Sequence, residues 1–181
     1  MAHMGIGLLG APQIIIKRKF RFTIEIQTPV GLIPIWFVKI GARPQLQIEE
    51  TEVNFRNAVT WIPGKARWQP ISVTYYDVAD GLLAPLYNWV ASVYNFTQPA
   101  QLGMSEKCGW AGTVIIRMWD GCGSLLETWE LGSAWPTAIN FGDLDYANSE
   151  IATIELTIRY SEARMIGSCG TPTPAGICCG C

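Results

Sequence analysis

Between Ile151 and Tyr160 apolar and polar side chains alternate, with Ala152, Ile154, Leu156, Ile158 and Tyr160 set against Thr153, Glu155, Thr157 and Arg159. Successive side chains of an extended strand point to opposite faces, so this order makes one face apolar and the other polar. A helix, turning every 3.6 residues or so, would scatter the same five residues around its circumference. The pattern commits this part of the chain to a half-buried sheet. Phe20, Phe22, Ile24 and Ile26 repeat it against Arg21, Thr23, Glu25 and Gln27. Val114 to Trp119 and Leu125 to Leu131 flank Asp120-Gly121-Cys122-Gly123, whose Asp-Gly step favours the positive φ of a tight hairpin turn. Ile35 to Gly41, Gln45 to Asn54 and Ile71 to Asp77 are dominated by β-branched and aromatic residues and are expected as further strands.

One segment departs from the period of two. Leu82, Leu86, Trp89, Val90 and Val93 form the apolar stripe of an amphipathic helix, and these five are its candidate packing residues. Asp80 stands ahead of it as a cap, Pro85 fits only its first turn, and Pro99 lies beyond its end. The segment from Glu49 to Trp68 carries charges, with turn residues at Pro63-Gly64 between two strand-like runs, and reads as an extended arm or long hairpin. Such a projection makes most sense when a partner subunit receives it. About seven strands and one helix give a mainly β fold: an antiparallel β-sandwich or partly open β-barrel with one flanking α-helix and an extended hairpin arm. Residues 1–16 are expected as an N-terminal extension, 17–164 as the β domain, and 165–181 as a Cys-, Gly- and Pro-rich tail.

Of the 181 residues, 49% are hydrophobic and 15% charged, against roughly a quarter charged in an average soluble domain. Apolar surface therefore stays uncovered by the fold itself, which points to an oligomer. Thirteen basic against fifteen acidic residues leave a net charge of −2, with Lys17-Arg18-Lys19 the longest run of one sign. That balance argues against tight nucleic-acid binding through many phosphates. Apolar stretches are broken well short of the roughly 18 residues of a membrane helix, and no export signal or membrane anchor is expected.

Catalytic chemistry is not expected. His3 is the lone histidine and falls in Met1-Ala2-His3-Met4, so a Ser or Cys nucleophile has no imidazole base. In Glu49-Glu50-Thr51-Glu52, Glu50 and Glu52 would share one face of a strand, which suits an acidic edge at an interface better than an acid–base pair. Asp143 and Asp145 lack the repeated oxygen-ligand spacing of a calcium loop and suit an intersubunit turn. Gly5-Ile6-Gly7-Leu8-Leu9-Gly10 approximates a dinucleotide fingerprint but follows no strand and runs into Ala11-Pro12. Cys169, Cys178, Cys179 and Cys181 crowd the C-terminal end, where free thiols or cross-links between subunits are better matches than a zinc site. No cofactor or metal is expected. Eight tryptophans admit a carbohydrate- or ligand-binding β-sandwich as the alternative of another class, although most of them lie in or beside strands and on the helix.

Several segments, taken together and in order, resemble the tail tube proteins of contractile-tailed bacteriophages. They are Phe20-Arg21-Phe22, Glu49 to Phe55 followed by Ile62-Pro63-Gly64-Lys65, Tyr76-Asp77, Leu86-Tyr87-Asn88-Trp89, Trp135-Pro136, Asn140 to Tyr146, and Ile151 to Tyr160. The resemblance spans about residues 20 to 162 and leaves out both ends. It implies hexameric rings of the chain with itself, stacked into a hollow tube inside a contractile sheath. It further implies baseplate and terminator proteins at the tube ends, and DNA passing through the lumen without specific binding. The protein would belong to the virion and assemble in the host cytoplasm. By the same resemblance the arm contacts the adjacent ring, with Glu50, Glu52, Asn54, Arg56, Trp61, Lys65 and Arg67 as candidate contacts. Inner tubes of type VI secretion systems and other contractile injection machines share this kind of fold and stand as a further alternative.

Overall fold

A computed structural model of the chain describes residues 17–79, 81–96, 107–147 and 149–166. Ten strands are present among these: β1 (Phe22–Thr28), β2 (Gly31–Ile33), β3 (Val38–Gly41), β4 (Gln45–Phe55), β5 (Ala58–Gln69), β6 (Ile71–Tyr76), β7 (Gly112–Trp119), β8 (Leu125–Asn140), β9 (Thr153–Arg159) and β10 (Glu162–Ile166). A ten-residue helix α1 (Ala84–Val93) and a single helical turn α2 (Lys107–Trp110) complete the set. All strand pairings are antiparallel.

The strand path runs β2-β1-β7-β8-β9-β6-β3, with β10 also on β8, and β4-β5 stand apart as a two-stranded hairpin. β8 is the hinge between two sheets. Its first half pairs with β7 and β10 and its second half with β9. Between the halves lie Gly132 and Ser133, and Ser133 takes a positive φ of 52°. Opposite them β9 and β10 are interrupted at Tyr160-Ser161, where the Ser161 N–H donates to the Gly132 carbonyl at 3.1 Å. This break bends the ribbon so that the inner faces of both sheets meet in one core. The result is the sandwich, open along the side where β2 and β3 end the path, and not a closed barrel.

The alternation in sequence becomes alternation in burial. Ile154, Leu156 and Ile158 of β9 are fully buried together with Ile71, Val73 and Tyr75 of β6, Ile24 and Ile26 of β1, and Val114 and Ile116 of β7. Two expected inward positions lie outside the core: Phe20 precedes β1 and is exposed, and Ala152 precedes β9 and is exposed. Pro34 enters Ile35–Phe37 as a 3-10 turn, which shortens the expected strand to β3. The turn after β7 is built by the Asp120 carboxylate, which accepts the N–H groups of Cys122 and Ser124 at 2.7 Å each. The residue with positive φ there is Gly123 (88°), where the Asp-Gly step points to Gly121.

Helix α1 caps one end of the core. Leu86 and Trp89 are buried and Val90 and Val93 are partly buried, whereas Leu82 is exposed and Leu83, one residue later, occupies the buried position. Leu82 lies ahead of the first helical turn, where helical spacing no longer applies. Pro85 sits in the first turn as its missing N–H requires. The Trp89 indole N–H donates to the Trp110 carbonyl at 2.7 Å, tying α1 to α2. Gly112 makes room for this contact, since a Cβ there would stand 2.7 Å from the Gln27 carbonyl oxygen and 3.4 Å from the Trp89 ring. Asp80, Pro99, Cys169, Cys178, Cys179 and Cys181 lie outside the described residues.

Candidate functional site

The β4–β5 hairpin is exposed on both faces over nearly its whole length. An isolated two-stranded hairpin is marginal in water, so its form depends on local devices. The strands are joined by Arg56-Asn57, with Arg56 at a positive φ of 55° and its guanidinium 5.4 Å over the Phe55 ring. Pro63-Gly64, expected as the turn, instead lies inside β5 at a bulge where the register slips between Ile48/Ala66 and Glu50/Pro63. Proline removes a ladder donor and glycine permits close backbone approach, so the dipeptide marks a bulge as readily as a turn. A Cβ on Gly64 would stand 3.0 Å from the Glu49 carbonyl oxygen.

The register sorts the side chains. Leu46, Ile48, Glu50, Glu52 and Asn54 share one face with their partners Trp68, Ala66, Pro63, Trp61 and Val59. The other face holds the Arg67–Glu49 ion pair at 2.8 Å and the Gln69–Gln47 hydrogen bond at 2.8 Å. Glu50, Glu52, Asn54 and Trp61 are thus brought together. Arg67 is on the opposite face, Lys65 is beside the bulge, and Arg56 is at the tip. Phe55, Trp61, Ile48 and Ile62 are all exposed, and an apolar projection of this kind marks an interaction surface. At the root, Trp68 packs edge-on to Trp129 with centroids 6.4 Å apart and leans on Tyr160 at 6.1 Å.

A second surface was not marked by sequence spacing. β1 and β3 face each other across the open side of the sandwich, and the seam between them is a cavity of about 890 Å³. Lys17, Lys19, Lys39 and Arg43 line it over an apolar wall that includes Phe22, Ile24 and Ile40. Behind it Glu127 is buried. Its carboxylate accepts hydrogen bonds from the Lys17 ammonium and the Trp129 indole N–H, with Arg43 Nη1 at 3.6 Å. Burial pushes the Glu127 carboxyl pKa up, but the bonds from Lys17 and Trp129 and the charges of Lys17 and Arg43 bring it below the usual carboxylate value. The Lys17-Arg18-Lys19 run was the sequence signal of this surface.

The loop after β8 is exposed. Gly142 has a φ of 75°, its N–H bonds to the Asn140 side chain at 3.0 Å, and the Asp145 carboxylate accepts the Ala147 N–H at 3.0 Å. Asp143 is exposed, as are Leu144 and Tyr146 beside it. Among the described residues no group of three His, Cys, Asp or Glu could hold a metal ion. Trp36 and Trp61 are exposed on separate elements, while ring contacts join Trp68 with Trp129 and Tyr160, Tyr87 with Phe141, and Trp110 with Trp135. Cys122 is an exposed free thiol.

Residues 18–164 match the family model described as T4-like virus tail tube protein gp19. The chain belongs to the tail tube protein family. As a member it is a structural tail tube protein. Solved structures show the same fold. A chain from the sheath/tube terminator of an extracellular contractile injection system, PVC, superposes with a TM-score of 0.68 at 19% identity, covering 86% of this tail tube family member and 100% of that chain. One from the tube-terminating cap of the anti-feeding prophage gives 0.68 at 18% identity, covering 91% and 100%. One from the six-fold symmetrised baseplate of the same prophage gives 0.65 at 16%, covering 88% and 98%. No curated protein matches the chain.

Proposed function

We propose that this chain is the repeating subunit of a bacteriophage contractile tail tube, closing into hexameric rings whose stacked lumen conducts DNA into the host. The observation that carries this reading is the β4–β5 hairpin, which projects apolar side chains where they stabilise nothing in the subunit's own core. A head-to-tail assembly uses two different surfaces on each copy, and the hairpin is one of them. The six-fold symmetry of the anti-feeding prophage baseplate, whose chain has this fold, supports the ring number. The sheath would surround the tube, with baseplate and terminator at its ends, in a virion assembled in the host cytoplasm. The family's viral description favours a phage tail over the inner tube of a type VI secretion system or another injection machine.

Negative-stain electron microscopy of the purified chain, alone and seeded with isolated baseplates, tests the proposal. Rings and hollow tubes are expected. A monodisperse monomer at every concentration, seeded or not, would overturn it. Repeating the experiment with reductant assigns the cysteines: tubes that shorten would link copies through thiols, and unchanged tubes would remove Cys169, Cys178, Cys179 and Cys181 from assembly.

A further inference from the structure

The open side of the sandwich is built as a receptor. β2 and β3 end the strand path, so the outer edge of β3 carries backbone groups with no partner strand among the described residues. Such an edge is a template for added chain. Next to it lies the seam of about 890 Å³, apolar inside and lined by four cations. Lys17 and Arg43 face the single carboxylate of Glu127. Lys19 and Lys39 are left in excess, with the Lys39 ammonium 5.6 Å over the Tyr76 ring and Ile40 exposed beside it.

The hairpin offers the complement. Its register places Glu50 and Glu52 on one face with Ile48, Pro63 and Trp61, and no lysine or arginine is among the paired residues of that face. Lys65, at the bulge between Pro63 and Ala66, has no register partner, and Arg67 is held on the other face by Glu49. Carboxylates set in apolar surface match ammonium groups set around an apolar seam, both in charge and in apolar character.

We propose that the Glu50/Glu52 face of the hairpin seats in the seam between β1 and β3 of a neighbouring copy in the tube, with Lys19 and Lys39 as its partners. This rests on the assembly reading above and assigns the surface that receives the arm. Arg43 lines the seam and Gln45 begins the hairpin, so each copy presents its receptor at the root of its own arm. A contact between two unlike surfaces propagates from copy to copy.

The test compares four full-length chains by electron microscopy and sedimentation at low salt: wild type, Lys19→Glu/Lys39→Glu, Glu50→Lys/Glu52→Lys, and all four changes together. All four residues are exposed, so thermal melts should stay within about 2 °C of wild type. Each double variant is expected to lose roughly tenfold or more of its sedimentable tube, because like charges then meet across the contact. The fourfold variant is expected to recover tubes. If a melt falls further, Lys19→Gln/Lys39→Gln replaces the reversal and should show the same loss in smaller degree. Wild-type tubes together with normal tubes from the seam variant would overturn this inference alone, as would a folded fourfold variant that makes none. A wild-type chain that forms neither rings nor tubes overturns the assembly reading as well.

Discussion

Glu127 is 2% exposed yet accepts hydrogen bonds from Lys17 and Trp129. A buried carboxylate without such partners would stay protonated at neutral pH, so the cations of the seam are also what keep this one charged. Its pKa is depressed in the folded chain, so its contribution to stability is full above the unfolded value of 4.5 and is lost as pH falls through the folded value. Glu25 acts in the same direction through its hydrogen bonds from Arg117 and Gln27. We expect the urea midpoint to drop between about pH 5 and about pH 3, and Glu127→Gln to make that drop shallower while lowering the midpoint at pH 7. Parallel curves for both proteins would mean that Glu127 does not set the acid limb. None of this was legible from spacing, because Lys17 and Glu127 are 110 residues apart and only the fold brings them together.

At the scale of elements, strands with one buried face were legible and strands with none were only half so. β9 and β1 follow from period two, because each has a sheet face against the core. The hairpin has no core to alternate against, so its composition indicated an arm while its turn was misplaced by seven residues. Pro63-Gly64 carries turn chemistry, but Arg56-Asn57 closes the strands in a register that pairs Leu46 with Trp68 at the root. Because the arm adds little to the core, replacing residues 49–65 by Asn-Gly between Ile48 and Ala66 should leave the unfolding free energy of the unassembled chain within about 1 kcal/mol of wild type. The same excision should abolish tubes. Denaturant titration and electron microscopy on one preparation check both halves, and a shortened chain that still forms tubes would refute the role of the arm.

For the whole molecule, the low charge and net −2 suit a wall along which a polyanion moves without being trapped. Assembled protein is therefore expected to show no salt-sensitive affinity for duplex DNA in the micromolar range. A gel shift at low salt that disappears as salt is raised would contradict this, and would instead assign the four cations of the seam to phosphate.

The fold class, the helix and the presence of an arm were legible in the order of residues, since these depend on local pattern: alternation for half-buried strands, a stripe for α1, and strand-forming residues without alternation for β4 and β5. Together with the series of motifs from Phe20 to Tyr160, that was enough to identify the family. That the sheets stay open, that β8 bends at Gly132-Ser133, and that Lys17, Lys19, Lys39 and Arg43 gather at one seam came from the folded chain alone. The reason is physical: local patterns are fixed by neighbours along the chain, whereas a seam is made by strands that meet only after the core has closed.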